Sequence, residues 1–193
     1  HLSLRRQRQM CIRDRYIVYE NHTRNKELLK YAQTDALTGL YNKETTEQLT
    51  DELLSEDENK SHAFLILDVD CFKQINDIYG HAVGDIVLQK FGKLLKGTFR
   101  EGDILGRIGG DEFGVIMKNI QTKDIAMKKA EELLAKTQAY KIDELKGNNI
   151  SISIGISTAP QDGDCYMDLY KRADQALYQA KRSGKARVCN YFS

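Results

Sequence analysis

Net charge is almost missing from this chain: 29 basic and 28 acidic side chains leave +1 over 193 residues. That balance excludes the broad basic footprint of a nucleic-acid binder, or of a chain that lies directly on an anionic membrane. Cysteine is sparse as well. Cys11, Cys71, Cys165 and Cys189 are scattered without CxxC spacing, so neither a zinc site nor a disulfide framework is indicated, and a reducing cytoplasm is the simplest compartment. No run approaches the roughly 20 apolar residues that span a bilayer, and no secretory signal is visible. Any membrane-bound part would lie upstream. Proline occurs once, at Pro160, and there is no internal repeat. What remains is 41% hydrophobic and 30% charged, enough for one ordinary domain with a real core and a tail.

Residues 1–15 stand apart from that domain. Leu4-Arg5-Arg6-Gln7-Arg8-Gln9-Met10 is basic and has no apolar stripe. It reads as an extraneous or truncated leader and is set aside from the fold. A basic juxtamembrane remnant and a wrongly joined piece of sequence are the competing readings. Residues 16–33 have a helical pattern, with Ile17, Val18, Leu28, Leu29 and Ala32 as a partial stripe. So little apolar surface suits a linker helix that pairs with its own copy or connects to something upstream.

From residue 34 to 193 the elements are mixed. A turn over Thr34 to Lys43 precedes an amphipathic helix over Glu44 to Asn59, and the charge-rich stretch Glu44 to Lys60 as a whole reads as a solvated face. His62 to Leu67 is a short apolar run of the kind found in a central strand covered on both sides. It leads into Asp68-Val69-Asp70, where alternation puts the two carboxylates on one face about 7 Å apart. Phe72 to Tyr79 reads as a short helix and Gly80 to Gly84 as a loop. Asp85 is placed to cap a helix through Phe99. Strands are expected at Ile104 to Ile108 and at Ile150 to Ser157, the second alternating apolar with small residues and ending before Pro160. Further helices cover Lys123 to Thr137 and Tyr166 to Lys181, and Arg187 to Tyr191 adds a closing strand. The series predicts α/β or α+β, with helices packed on one main sheet.

Arg107-Ile108-Gly109-Gly110-Asp111-Glu112-Phe113 is the stretch around which these elements gather. Paired glycines between strand-like runs predict a tight hairpin at positive φ. A tip without side chains admits a phosphate to backbone N–H groups, and the adjacent acids suit a divalent cation. An ordinary hairpin with solvated acids is the alternative that this stretch alone leaves open.

Together with Asp68-Val69-Asp70-Cys71-Phe72-Lys73-Gln74-Ile75-Asn76-Asp77, Gly80-His81-Ala82-Val83-Gly84-Asp85 and Asp35-Ala36-Leu37-Thr38-Gly39-Leu40, the hairpin resembles the GGDEF family of diguanylate cyclases, motif by motif and in the family's order. The resemblance implies a nucleotidyl-cyclase, palm-like fold, with a central mostly antiparallel sheet flanked by helices. It also implies an activity: two GTP molecules joined into cyclic di-GMP with release of two pyrophosphates. Residue by residue it implies metal ligation, by Mg²⁺ or Mn²⁺, at Asp68, the Val69 carbonyl, Asp111 and Glu112. Asp111 takes the proton of the 3′-hydroxyl and Glu112 assists. Gly109 and Gly110 approach the phosphates, Asn76 and Asp85 read guanine, and His81 lies at the pocket. Lys73, Lys181 and Lys185 meet the triphosphate, Lys185 standing where the family often has Arg, as does Lys43.

The resemblance further implies an inhibitory cyclic di-GMP site at Arg100 and Asp103, the RxxD of Arg100-Glu101-Gly102-Asp103. Because one site holds one GTP, it implies a homodimer of catalytic domains with an upstream sensor region. A catalytically silent GTP- or cyclic di-GMP-binding module is the alternative function. Asp70 and Asp77 read as structural acids, as helix caps or partners for nearby lysines, Tyr41 and Phe72 as packing residues, and the cysteines as buried small residues or idle thiols.

Overall fold

The computed structural model describes residues 32–56 and 60–191. From Asp35 onward the chain forms one compact unit, and the segment up to Thr34 is a unit of its own. The expected leader at 1–15 lies outside the described residues, as does the expected helix over 16–33 apart from its last two positions.

The elements run α1 (Lys43–Glu56), β1 (His62–Val69), α2 (Phe72–Tyr79), α3 (His81–Thr98), β2 (Ile104–Arg107), β3 (Glu112–Met117), α4 (Lys123–Ala139), a 3-10 turn at Asp143–Leu145, β4 (Ile152–Ala159), α5 (Tyr166–Arg182) and β5 (Val188–Asn190). The strands form one sheet in the order β2-β3-β1-β4-β5. All pairs are antiparallel except β4 with β5. The expected mixed architecture is therefore present, as a mostly antiparallel sheet between two helical layers.

Every residue of β1 is buried, because the two layers divide its side chains between them. Leu65 and Leu67 face α3 and α4, packing with Val87, Leu88, Phe91, Ala126, Ala130 and Leu133. Phe64 and Ile66 face α1 and α5, with Leu53, Leu54, Tyr166, Leu169, Ala173 and Leu177. The continuous apolar run ending at Leu67 is thus the signature of a strand with no wet face. In β4 the apolar Ile152, Ile154 and Ile156 join the first layer. The small face has a different purpose from solvation: Gly155 lets α5 lie directly on the sheet. A Cβ there would meet the Ala173 carbonyl oxygen at 2.0 Å and the Leu177 amide nitrogen at 2.4 Å.

Three expectations are corrected. Helix α1 is not simply a solvated face, since it buries Thr45, Thr46, Thr50, Leu53 and Leu54. The stretch Gly80 to Gly84 is not a loop. Gly80 alone, at φ 85°, turns the chain between α2 and α3, and the N–H groups of Val83 and Gly84 already donate to its carbonyl. Asp85 consequently sits inside α3 rather than capping it. Gly84 is there for space, because a Cβ would fall 1.9 Å from Asn76 Oδ1.

The hairpin after Arg107 is the third correction. Gly109 and Gly110 are not among the glycines at positive φ, so left-handed backbone is not their reason. The loop is wide, closed by Ile108 N–H and Gly109 N–H donating to the Glu112 carbonyl at 3.0 and 3.2 Å. At Gly109 the Glu112 carboxylate lies close, and a Cβ would meet its Oε2 at 2.8 Å so that the side chain would have to turn aside, whereas at Gly110 a Cβ would find open space.

Candidate active site

The antiparallel register sets Asp68 of β1 directly opposite Glu112 of β3, and the Val69 N–H donates to the Asp111 carbonyl at 3.2 Å. Three carboxylates therefore crowd one end of the sheet. Asp68 is 7% exposed, and its burial, reinforced by the negative charges of Asp111 and Glu112, raises its pKa against the opposing pull of Lys181. Lys181, from the last turn of α5, pairs with Asp68 Oδ2 at 2.7 Å. A basic residue is well placed at that helix end.

Three buried or half-buried acids with one lysine leave negative charge in excess. Such an all-oxygen donor set suits a hard divalent cation. Asp68, Asp111 and Glu112 thus fit the ion that the sequence resemblance implies.

Asp70, next along the chain, does something else. It is 6% exposed and accepts from Ser151 Oγ at 2.8 Å, Ser153 Oγ at 2.7 Å and the Ala186 N–H at 3.1 Å. Those bonds tie the end of β1 to β4 and to the loop after α5. The partners are serines and backbone rather than nearby lysines. Asp70 is a structural acid.

The loop after α5 holds Lys185 and Ala186 at φ 61° and 48°. From that left-handed turn the Lys185 ammonium reaches Cys71 Sγ at 3.1 Å. The bond to Cys71, with the charges of Asp70 and Asp68 behind it, raises the Lys185 pKa. Cys71 is exposed, and Cys165 and Cys189 are half-buried, so none of these three is a buried packing thiol. Lys181 and Lys185 come together at this edge, and Lys73 is exposed on the adjoining α2.

The base-reading candidates flank the Gly80 turn. Asn76 lies on α2 and Asp85 one turn into α3, with exposed His81 opening that helix. The Asn76 amide oxygen is buried against Gly84 and finds no hydrogen-bond partner among the described residues. A buried polar atom left unpaired in this way costs free energy.

Sequence reasoning missed the group that fixes the glycine loop. Arg107 donates from Nε and Nη2 to the Gly110 carbonyl at 3.2 and 2.7 Å, and from Nη1 to both oxygens of Asp35. Burial alone would raise the Asp35 pKa. The Thr38 hydroxyl and N–H and the Arg107 guanidinium outweigh it and hold the carboxyl below its usual value. The turn Asp35 to Leu40 is thereby joined through one guanidinium to the loop that precedes Asp111. An Arg two residues before paired glycines was the visible signal, but its partner lies 72 positions away.

Arg100 and Asp103 come together at the opposite end of β2. Asp103 Oδ1 accepts from Arg100 Nε at 3.1 Å and from the Lys118 N–H at 3.1 Å, and the Arg100 guanidinium also donates to the Lys118 carbonyl. They line a cavity of about 490 Å³ with Lys118, Asn119, Ile125 and Lys129.

Residues 32–187 match the family model described as the diguanylate cyclase GGDEF domain. The chain belongs to the GGDEF family. Diguanylate cyclase A of Treponema denticola is 37% identical over 170 residues, covering 85% of this chain and 46% of that protein. The GGDEF domain of TpbB (YfiN) from Pseudomonas aeruginosa superposes with a TM-score of 0.78 at 33% identity, covering 82% of this chain and 94% of that one. The coiled coil and GGDEF domain of DgcB from Caulobacter crescentus, solved with c-di-GMP, gives a TM-score of 0.83 over 92% of this chain and 95% of that one, and at 24% identity shares the fold. The chain spans about half or less of the length of the curated relatives it matches, 46% and 50% of the first two. Among the described residues of this GGDEF domain, no helix is long and apolar enough to cross a membrane.

Proposed function

We propose that the chain is a diguanylate cyclase that condenses two GTP molecules into cyclic di-GMP. The observation that carries this reading is the crowding of Asp68, Asp111 and Glu112 beside Lys181 at one sheet end, within a domain of a family whose curated relatives include several named diguanylate cyclases. Each 3′-oxygen forms a bond to the α-phosphorus of the other nucleotide as the bond to pyrophosphate breaks. Asp111 accepts the hydroxyl proton. The departing pyrophosphate charge is met by Lys181, Lys185 and Lys73, with Lys181 transferring from Asp68 to phosphate as the nucleotide binds.

A divalent ion, Mg²⁺ or Mn²⁺, held by Asp68, the Val69 carbonyl, Asp111 and Glu112 would neutralise triphosphate charge and acidify the attacking hydroxyl. Asn76 and Asp85 meet the donor and acceptor edge of guanine, which adenine would leave unpaired. The backbone at Gly109 and Gly110, held open by Arg107, receives the phosphates.

One site holds one GTP, so two copies must face each other in an antiparallel pair. The domain is assigned to residues 34–193 and the dimer-setting helix to 16–33, with 1–15 outside the fold. The solved DgcB chain joins a coiled coil to its GGDEF domain, which is in keeping with a helix of that job.

Turnover of GTP with Mg²⁺, resolved by mass across a protein concentration series, tests the reading. Cyclic di-GMP is expected to rise faster than linearly with protein and to vanish in Asp111→Ala. GTP binding without product at any concentration, even in a chain dimerised through a fused coiled coil, would leave only a binding module.

Feedback is assigned to the cavity at Arg100 and Asp103. There the product's phosphates would draw Arg100 away from Asp103, freeing the carboxylate for guanine. Arg100 is 60% exposed on its side chain and Asp103 only 4%, so the guanidinium can swing away into solvent while the carboxylate stays held by the Lys118 N–H. Arg100→Ala is expected to raise the cyclic di-GMP concentration needed for half-inhibition by about tenfold or more, with initial velocity unchanged. Equal inhibition of the variant and the parent chain would remove this assignment.

A further inference from the structure

We infer that the loop from the 3-10 turn through Asn148 is a brace that sets the guanine-reading helix, with Asn148 as a positioning residue acting through Tyr79. This rests on the GTP-binding reading above.

Helix α2 needs such a brace. It is eight residues long and has no fully buried residue. A helix of two turns does not persist without tertiary support. Its N-cap, Cys71, makes no side-chain capping bond. Phe72, Ile75 and Tyr79 rest only partly buried against the core. Yet Asn76 must keep a fixed offset from Asp85 on α3 if the two are to read one base.

The brace is itself well anchored. Ile142, Leu145 and Ile150 are 2%, 1% and 3% exposed, so the segment hangs from the core at three points. Lys146 and Gly147, at φ 52° and 92°, turn the chain so that the Asn148 N–H donates back to the Leu145 carbonyl at 3.0 Å. From there Asn148 Nδ2 donates to the Tyr79 hydroxyl at 2.7 Å. One turn earlier Glu144 accepts from Lys90 Nζ at 2.7 Å, and Lys90 belongs to α3. Their mutual bond shifts both groups toward the charged form, raising Lys90 and lowering Glu144. A single loop therefore grips α2 through Tyr79 and α3 through Lys90. The two helices that carry Asn76 and Asp85 are referenced to the same anchor.

The test is calorimetric titration of the full chain with 3′-deoxy-GTP and 3′-deoxy-ITP in Mg²⁺. Neither nucleotide can cyclise, and the second lacks the exocyclic amine of guanine. The parent chain is expected to prefer the guanine nucleotide. Asn148→Ala and Tyr79→Phe should each weaken 3′-deoxy-GTP binding by roughly three- to tenfold and shrink the preference over 3′-deoxy-ITP. The double variant should lose no more than either single one, because both remove the same bond. Asn148 is exposed, so the thermal midpoint should stay unchanged.

Unaltered preference in both single variants, or an equal loss for both nucleotides, would overturn the brace while leaving GTP binding intact. A parent chain that binds neither nucleotide, or shows no guanine preference, would overturn the GTP-binding reading and the brace with it.

Discussion

Asp68→Asn is expected to lower turnover by roughly a thousandfold or more and, in the same protein without metal, to raise the melting temperature. The first effect follows from removing a charged ligand at the point where triphosphate charge must be neutralised. The second follows from the environment of the carboxylate. Burial comes first, then repulsion from Asp111 and Glu112, and together they outweigh the Lys181 ion pair and raise the Asp68 pKa above its ordinary 3.8. A group with a raised native pKa binds more protons folded than unfolded, so its contribution falls as pH climbs through the unfolded value toward the native one. Above that window the folded chain carries a charge it disfavours. Asparagine keeps the shape and removes the charge, and Lys181, about one-third exposed on its side chain, can turn to solvent. Melting in EDTA at neutral pH and again near pH 3 checks the sign. The gain should be present at pH 7 and shrink at pH 3, where Asp68 is largely protonated in both states. Adding Mg²⁺ should stabilise the parent chain and leave Asp68→Asn unmoved. A variant less stable than its parent in EDTA at pH 7 would show that the Lys181 pair outweighs the burial.

The same competition explains why the acids of this site were legible in the sequence and their supports were not. Asp68, Asp111 and Glu112 sit at the ends of apolar runs, and period-two alternation is enough to bring them to one sheet end. The motif order around them identified the family from residues alone. Arg107 was visible too, but what it does depends on Asp35, and no local periodicity joins a turn before α1 to a hairpin after β2. Asp70 illustrates the reverse case. Its neighbours in sequence suggested a cap or a lysine partner, whereas Ser151 and Ser153 reach it only because β4 lies alongside β1.

Glycine was the residue most easily misread. Paired glycines at 109 and 110 suggested positive φ, and Gly80 with Gly84 suggested a loop. In the structure only Gly80 of these four is left-handed, while Gly84 and Gly109 are small so that Asn76 and Glu112 can lie against them. Conformational freedom can be inferred from sequence, because turn chemistry is local. Space cannot, because it depends on which side chain or helix arrives from elsewhere.

Gly155 carries that point to its largest energetic consequence. Gly155→Ala is expected to cost about 3 kcal/mol or more of folding stability, although alanine is the smallest possible addition and β4 tolerates it conformationally. The added methyl would stand 2.0 Å from the Ala173 carbonyl oxygen, 2.4 Å from the Leu177 nitrogen and 2.9 Å from its Cα. All three are backbone atoms of one helix, so no rotamer change relieves the clash and α5 must lift from the sheet. Lifting it uncovers Leu169, Ala173 and Leu177, buried at 2% exposure or less, and it moves the helix whose last turn brings Lys181 to Asp68. Stability and nucleotide handling should therefore fail together. Urea unfolding followed by far-UV circular dichroism, with a nucleotide titration on whatever fraction stays folded, reads both. The control is Gly110→Ala, where a Cβ meets nothing within 4 Å and the unfolding midpoint should hardly move. If Gly155→Ala unfolds at the parent midpoint with GTP affinity intact, the close seating of α5 on β4 is not what holds this site in place.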